Sequence, residues 1–314
     1  MSHSAPPRLT LLAAFAAIYL FWGATFLAVR YAVVVVPPML IIFFRCAGGA
    51  LILFGWLAWR RELEHTTWAQ WRTAAIAGLL LFLGCHVAMA WAEQRMSSGQ
   101  AALFSSTIPL WIILIESVKV RTMPSARMLV GMALGIVGVG VLAGGKVSNA
   151  GLASDRALVT IGAFCWAAGS LIGRHGARPR SVIQCTAMQL VTGAAWVLAA
   201  STLHGDLAHF SFAHVDLRTD LALLFLVLCG TVLGFGSYTW LLRVASPAAV
   251  SSYAFVNPMV ALALGIAVGD DALSGRIVLS ATLVIAAVVL TMRGAPSTRR
   301  SGTEIAERRL RAAS

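Results

Sequence analysis

The chain is a succession of apolar runs about twenty residues long: 10–29, 37–58, 70–92, 98–118, 127–145, 157–173, 181–202, 218–241, 247–268 and 275–292. Roughly 20 apolar residues make a helix long enough to cross a bilayer, where every backbone polar group must be satisfied within the protein. The runs are too long for membrane β-strands and lack their period-two alternation. An all-α membrane protein with ten spanning helices is therefore expected, with connections too short for a separate soluble domain. Composition agrees, at 59% hydrophobic and 11% charged over 314 residues, against about 45–50% and about 25% in soluble domains. The first run follows Arg8 and continues unbroken to Val29. It reads as a retained helix rather than a signal peptide.

The formal net charge of +12 would suit a nucleic-acid binder, but the positions of the charges argue for membrane topology instead. With the N-terminus inside, the inner connections carry twelve basic residues before the tail is counted, among them Arg60, Arg61, Arg72, Arg174, Arg178, Arg180 and Arg243. The outer connections carry six: Arg30, Arg95, Lys146, Arg156, Arg218 and Arg276. Positive charge gathers on the cytoplasmic side, so both termini are expected there, with 296–314 a basic cytoplasmic tail beside lipid headgroups. The bilayer is the expected partner, and no nucleic acid is. Cys46, Cys85, Cys165, Cys185 and Cys229 all fall inside apolar runs without C-x-x-C spacing. They read as small buried residues rather than as a metal site or a disulfide framework, and no cofactor is expected.

The chain also repeats itself. Trp22 and Arg30 recur as Trp166 and Arg174 at an offset of 144, which also sets Arg45 over Gln189 and Gly49 over Gly193. Arg95 recurs as Arg243 at an offset of 148, and Ser98-Gly-Gln-Ala-Ala as Ser246-Pro-Ala-Ala-Val. The reading is five helices (1–150) followed by five more (151–295). Because five is odd, the second set starts from the opposite side. Inverted-topology repeats of this kind are characteristic of secondary transporters, which hold substrate near the midplane between the halves.

Within this pattern the stretch Ser251-Ser252-Tyr253-Ala-Phe-Val-Asn257-Pro258 is unusually polar. Pro258 frees a carbonyl one turn back, near Ala254, which neighbouring hydroxyls or a polar pathway can satisfy. Ser105, Ser106, Thr107 and Pro109 occupy the equivalent place in the fourth run. Two proline-kinked, hydroxyl-rich helices read as walls of a central cavity. The alternative is that their serines bond back to their own helices. Arg45 lies roughly 12 Å below the outer end of helix 2. It can grip a carboxylate or cap helix carbonyls, and its neutral repeat mate Gln189 favours a structural role. His86, roughly 9 Å from the outer end of helix 3, can bind substrate, carry a proton or simply pack. Trp22 and Trp166 can line a cavity or pack helices, and Tyr238 lies within the eighth run. Trp59, Trp68 and Trp71 suit an interfacial belt. The pairs Gly131/Gly135, Gly140/Gly144, Gly230/Gly234 and Gly265/Gly269 suit close helix packing, with 131–144 open to a homodimer face. No carboxylate pair forms a proton relay, which favours facilitated diffusion or exchange and leaves proton coupling through His86 open.

Three stretches, FWGATFLAVR, PPMLIIFFRCAGG and SPAAVSSYAFVNPMVALALG, resemble the EamA type of the drug/metabolite transporter superfamily. The resemblance covers essentially the whole ten-helix span. It implies a bacterial inner-membrane carrier of small metabolites, often amino acids and frequently outward, and so no enzyme. Relatives often end helices 4 and 9 with Gly-Glu, whereas this chain has Glu116-Ser117 and Gly269-Asp270-Asp271. The resemblance, with the positions of the polar residues, implies a cavity lined by helices 1, 3, 4, 6, 8 and 9. Its candidate residues are Trp22, His86, Ser105, Thr107, Trp166, Tyr238, Ser252, Tyr253 and Asn257, with Arg45, Gln189, Pro109 and Pro258 structural or binding. The scarcity of charge and abundance of aromatics favour neutral or aromatic amino acids as cargo. A carrier of nucleotide-sugars would need more cationic side chains in the spans. An intramembrane lipid-modifying enzyme would need clustered nucleophiles, bases or metal ligands. His204, His209 and His214, five residues apart near Asp206 and Asp216, do not stack on one helix face. A channel would need a filter-like loop or a ring of carboxylates.

Overall fold

The computed structural model describes residues 7–95, 104–120, 123–143, 153–211, 213, 215–268 and 275–294. Ser98-Gly-Gln-Ala-Ala, Gly144, His214, Gly269-Asp270-Asp271 and the 296–314 tail lie outside them. The described residues are helical throughout, without strands. The segments are α1 (Arg8–Ala32), α2 (Pro38–Arg60), α3 (Trp68–Ala92), α4 (Ile108–Val120), α5 (Ala126–Ala143), α6 (Ala153–His175), α7 (Val182–His204), α8 (Leu217–Val244), α9 (Tyr253–Val268) and α10 (Gly275–Gly294). Six described helices, α1, α2, α3, α6, α7 and α8, are long and apolar enough to cross a membrane.

The helix ends follow local chemistry. Thr67 and Gln70 form a reciprocal capping box before α3, and the Ser181 and Asp216 side chains accept from backbone N–H groups at the starts of α7 and α8. Hydrogen bonds from Thr219 hold the Asp216 carboxyl below its ordinary range. Gly205 ends α7 at φ 90°, a left-handed conformation that glycine adopts without a Cβ penalty.

Two interior features were not anticipated. α3 is π-helical over Leu79–Val87 and α8 over Leu226–Phe235, each flanked by regular α-helix. A π-turn inserts one extra residue and shifts which side chains face inward, and such turns concentrate at functional sites. The breaks near α4 and α9 also differ in detail from proline kinks. Each helix is preceded by a helical turn interrupted at a hydroxyl pair, Ser106-Thr107 or Ser251-Ser252. Pro109 lies in the first turn of α4, where its missing N–H breaks no bond, whereas Pro258 lies inside α9.

Packing pairs the segments in a regular way. α2 lies on α7 and α5 on α10; α1 contacts α8 and α9, while α6 contacts α3 and α4. Small residues permit the close approaches. A Cβ on Gly78 would meet the backbone of Gln189 and Gly193 at 2.8 Å, and one on Gly131 would meet the Thr291 backbone at 2.9 Å. The Gly131/Gly135 stripe is thus occupied by α10 and by Phe255. The largest core cluster lies at the centre and includes Trp22, Phe82, Trp166, Phe235, Tyr238 and Tyr253. Trp56, Trp59 and Trp68 are exposed around the α2–α3 connection, as an interfacial belt requires.

Candidate functional site

A cavity open on one side penetrates to this aromatic centre. Its walls come from the C-terminal half of α1 (Trp22, Thr25, Phe26, Val29), the first third of α2 (Ile42, Arg45), the end of α3 (Cys85, His86, Met89, Ala90) and Ser105 and Ile108 at the start of α4. Trp166 of α6 and Tyr253, Ala254, Asn257 and Pro258 of α9 complete it. The structure thus adds α2 to the expected set, while α8 packs behind the wall. The reason is glycine: a Cβ on Gly234 would fall 2.6 Å from Trp22 Nε1, and one on Gly230 would fall 2.9 Å from Thr25 Cγ2. Without side chains there, α8 lies flush on α1.

The floor is an aromatic box. Trp22 and Trp166, the repeat mates, meet edge to face with ring centroids 5.5 Å apart, and Tyr253 meets Trp22 edge to face at 4.7 Å. Trp22 Nε1 donates to the Gly230 carbonyl at 2.8 Å. Trp166 Nε1 and Tyr253 Oη are buried without a hydrogen-bond partner among the described residues. A buried polar atom left unsatisfied is costly, and at the floor of a cavity it marks a place for a ligand.

Arg45 is 5% exposed and projects into this wall. Its Nε donates to Thr231 Oγ1 at 3.1 Å, and Thr231 Oγ1 in turn donates to the Leu226 carbonyl at 2.9 Å, five residues back along the π-helical stretch. Arg45 makes no ion pair among the described residues, and its terminal amino groups make no hydrogen bond to them. A cation at such depth costs about 2.5–3.5 kcal/mol on insertion scales unless paired or hydrated. His86 uses the same device: Nδ1 lies 2.8 Å from the Leu81 carbonyl, again five residues back in a π-helical stretch. A carbonyl only accepts, so Nδ1 carries the proton and Nε2 is left as an acceptor. The ring is stacked on Phe82 and edge-on to Trp166.

The remaining candidates fall elsewhere. Ser105 lines the cavity, but Thr107 donates to the Phe104 carbonyl at 2.6 Å and lies outside the lining. Ser252 donates to the Ala249 carbonyl at 2.7 Å and meets Tyr19 Oη at 2.7 Å. These hydroxyls mend the broken turns. Asn257 lines the cavity, yet its amide nitrogen, in the orientation that suits its surroundings, donates to the Tyr253, Ile18 and Tyr19 carbonyls at 3.2 Å. It therefore ties α9 to α1. Tyr238 lies beneath the floor, with its hydroxyl 2.5 Å from Ser170 Oγ. Gln189 is buried against Gly173, as deeply as its mate Arg45, and lines the smaller space instead. Sequence reasoning missed Thr25, Met89 and Thr231; the regular spacing of Thr25 from Trp22 on one helical face was the available signal. Among the described residues no cluster of three metal-ligating side chains occurs. His204 instead pairs with Asp206 at 2.7 Å.

At the opposite end the bundle is closed. A smaller space of about 310 Å³ is lined by Ser170, Gly173, Arg174, Arg178, Cys185, Gln189, Tyr238 and Arg243, among others. Arg174 of α6 donates to the Leu242 and Ala245 carbonyls at the end of α8. Arg243 donates to the Arg180, Pro179 and Ser181 carbonyls at 2.5, 3.2 and 3.3 Å. Arg174 thereby satisfies orphan acceptors at the negative end of the α8 dipole, whereas Arg243 satisfies carbonyls of the connection ahead of α7.

The EamA-like transporter family model matches residues 9–144 and again 157–293. The chain belongs to that family. A protein named "Uncharacterized inner membrane transporter YedA" from Escherichia coli K12 is 30% identical over 290 residues, covering 91% of this chain and 92% of that protein. A "Probable amino-acid metabolite efflux pump" from Salmonella typhimurium is 24% identical over 279 residues, covering 87% and 91%. A solved crystal structure 20% identical to the chain superposes with a TM-score of 0.72 over 91% of this chain and 96% of the other, and so shares its fold. These relatives carry transporter names, and this EamA-family protein is a membrane transporter.

Proposed function

We propose that this protein is a secondary carrier of the bacterial inner membrane, exporting amino acids of neutral or aromatic type, or similar small metabolites, by alternating access. The observation that carries the reading is the central cavity, open at one end and sealed at the other by an aromatic floor and two arginines. All ten helical segments span in this reading, as two inverted five-helix repeats with both termini cytoplasmic. Support comes from the two successive family matches and from the cavities themselves. Ser170, Gly173, Gln189 and Tyr238 of the small space are the counterparts of Phe26, Val29, Arg45 and Ala90 of the large one, at the offsets of 144 and 148. One vestibule is open while its counterpart is closed. With the termini inside, the open one faces outward, the state that follows release of an exported substrate.

The lining, mostly apolar and with a single arginine, suits a small amphipathic body rather than a nucleotide-sugar. The test is radiolabelled amino-acid flux in proteoliposomes, with and without an imposed pH gradient. Saturable, competable flux is the expected result. Accumulation driven by the gradient would put His86 forward as the proton carrier. Absence of flux for every amino acid would remove that cargo.

A further inference from the structure

We infer that the cavity selects substrates as net anions, a carboxylate seated on Arg45 and an apolar or aromatic body on the Trp22–Trp166–Tyr253 box. The inference rests on reading this cavity as the transport site and, among the small metabolites proposed for it, favours organic acids over zwitterionic amino acids. Three observations converge. Arg45 is buried in the wall with its terminal amino groups unengaged among the described residues, and the described lining contains no aspartate or glutamate. A cation held this way is completed by an anion entering the site. The Thr231 hydroxyl fixes Nε at 3.1 Å and so leaves the two terminal amino groups for a second partner, an edge that a carboxylate can meet with two parallel bonds. Finally, no acidic side chain lines the closed vestibule either, although its arginines Arg174 and Arg243 are engaged on backbone carbonyls.

A zwitterion would satisfy Arg45 and bring an ammonium group into a site with no counter-charge, only neutral acceptors such as His86 Nε2. A monocarboxylate of the same skeleton neutralises the site. An amine without a carboxylate faces a like charge at close range and is rejected. Organic acids, including deaminated or N-acylated amino acids, are the class that fits.

The experiment compares three probes of one skeleton, 3-phenylpropionate, phenylalanine and phenethylamine, by calorimetric binding to the purified full-length protein and by flux in proteoliposomes. The expected ranking places 3-phenylpropionate at least tenfold tighter than phenylalanine, with phenethylamine not binding. R45Q erases the ranking. R45K keeps charge but loses the fork and falls between. T231V keeps the whole guanidinium, frees it from its anchor and lowers the preference several-fold, which preserves the test should R45Q fail to fold. Tighter binding of phenylalanine or phenethylamine, no binding of 3-phenylpropionate, or an unchanged ranking in R45Q and T231V would overturn the inference. Saturable phenylalanine flux untouched by 3-phenylpropionate would remove the anion class and leave the carrier standing. Tight 3-phenylpropionate binding without flux would do the reverse.

Discussion

The two ends of the bundle are built from corresponding residues and held by different bonds. At the closed end, Arg174 and Arg243 reach backbone carbonyls on neighbouring elements, and Glu64 accepts from the Arg180 and Ser181 N–H groups at 2.8 Å. At the open end, Arg95, the mate of Arg243, instead pairs with Asp155 at 2.6 Å. Arg95 is half exposed and Asp155 buried, so this end is spanned by one side-chain pair, whereas each guanidinium at the closed end engages two or three backbone carbonyls. The difference predicts that the closed-end latch sets the conformation shown more than the open-end pair does.

The largest expected effect follows from cutting that latch. R174Q should populate the opposite state, so that Cys185, which lines the closed space, reacts with a maleimide at least tenfold faster in a variant retaining it as the sole cysteine. Cys85, lining the open cavity, should slow in the matching background. Unchanged rates at both positions would break the comparison. Next is G193A. Its new Cβ would sit 2.3 Å from Phe82, between α7 and the π-helical stretch of α3. Overpacking of that kind costs about 1–3 kcal/mol, readable as a lower melting temperature in detergent.

A smaller asymmetry is expected between the repeat mates. W22F removes a hydrogen bond to α8, at a cost of about 0.6 kcal/mol and up to about 1.7. W166F removes an N–H without a described partner and should leave stability unchanged while weakening substrate affinity; equal thermal losses in the two variants would contradict the geometry. Smallest is D155N, which should alter transport by no more than a few-fold, since Arg95 is half exposed and stays hydrated when its partner is neutralised. A collapse of activity would move the latch to the open end.

Much of this was legible in advance. Apolar runs located the helices because lipid forbids other backbone arrangements, and the offsets of 144 and 148 singled out Trp22, Trp166, Arg45 and Gln189 before any coordinates. The hydroxyls of Ser252 and Thr107 were harder to place. Whether such a group bonds back to its helix or faces a cavity depends on where the helix breaks, and the break comes ahead of the prolines. The closed-end latch left no trace in composition, because every residue carries the carbonyl that an arginine uses. The π-helical stretches were equally silent, since LLLFLGCHV and LVLCGTVLGF are apolar but for His86 and Thr231 and show no periodicity to shift. Thr231 as the anchor of Arg45 was hidden with them.

Those stretches also say something about which lengths of chain this fold accepts. A π-turn is one residue more than an α-helix needs between the same two ends. The gene thus carries a codon in α8 that spanning does not require. Deleting one residue between Leu226 and Phe235 should still yield an inserted, assembled protein, its helix drawn back into regular register. Thr231 would swing away from Arg45, and what would be lost is discrimination among cargoes. An in-frame deletion scan through α8 would therefore separate the length that builds the bundle from the one residue that tunes it.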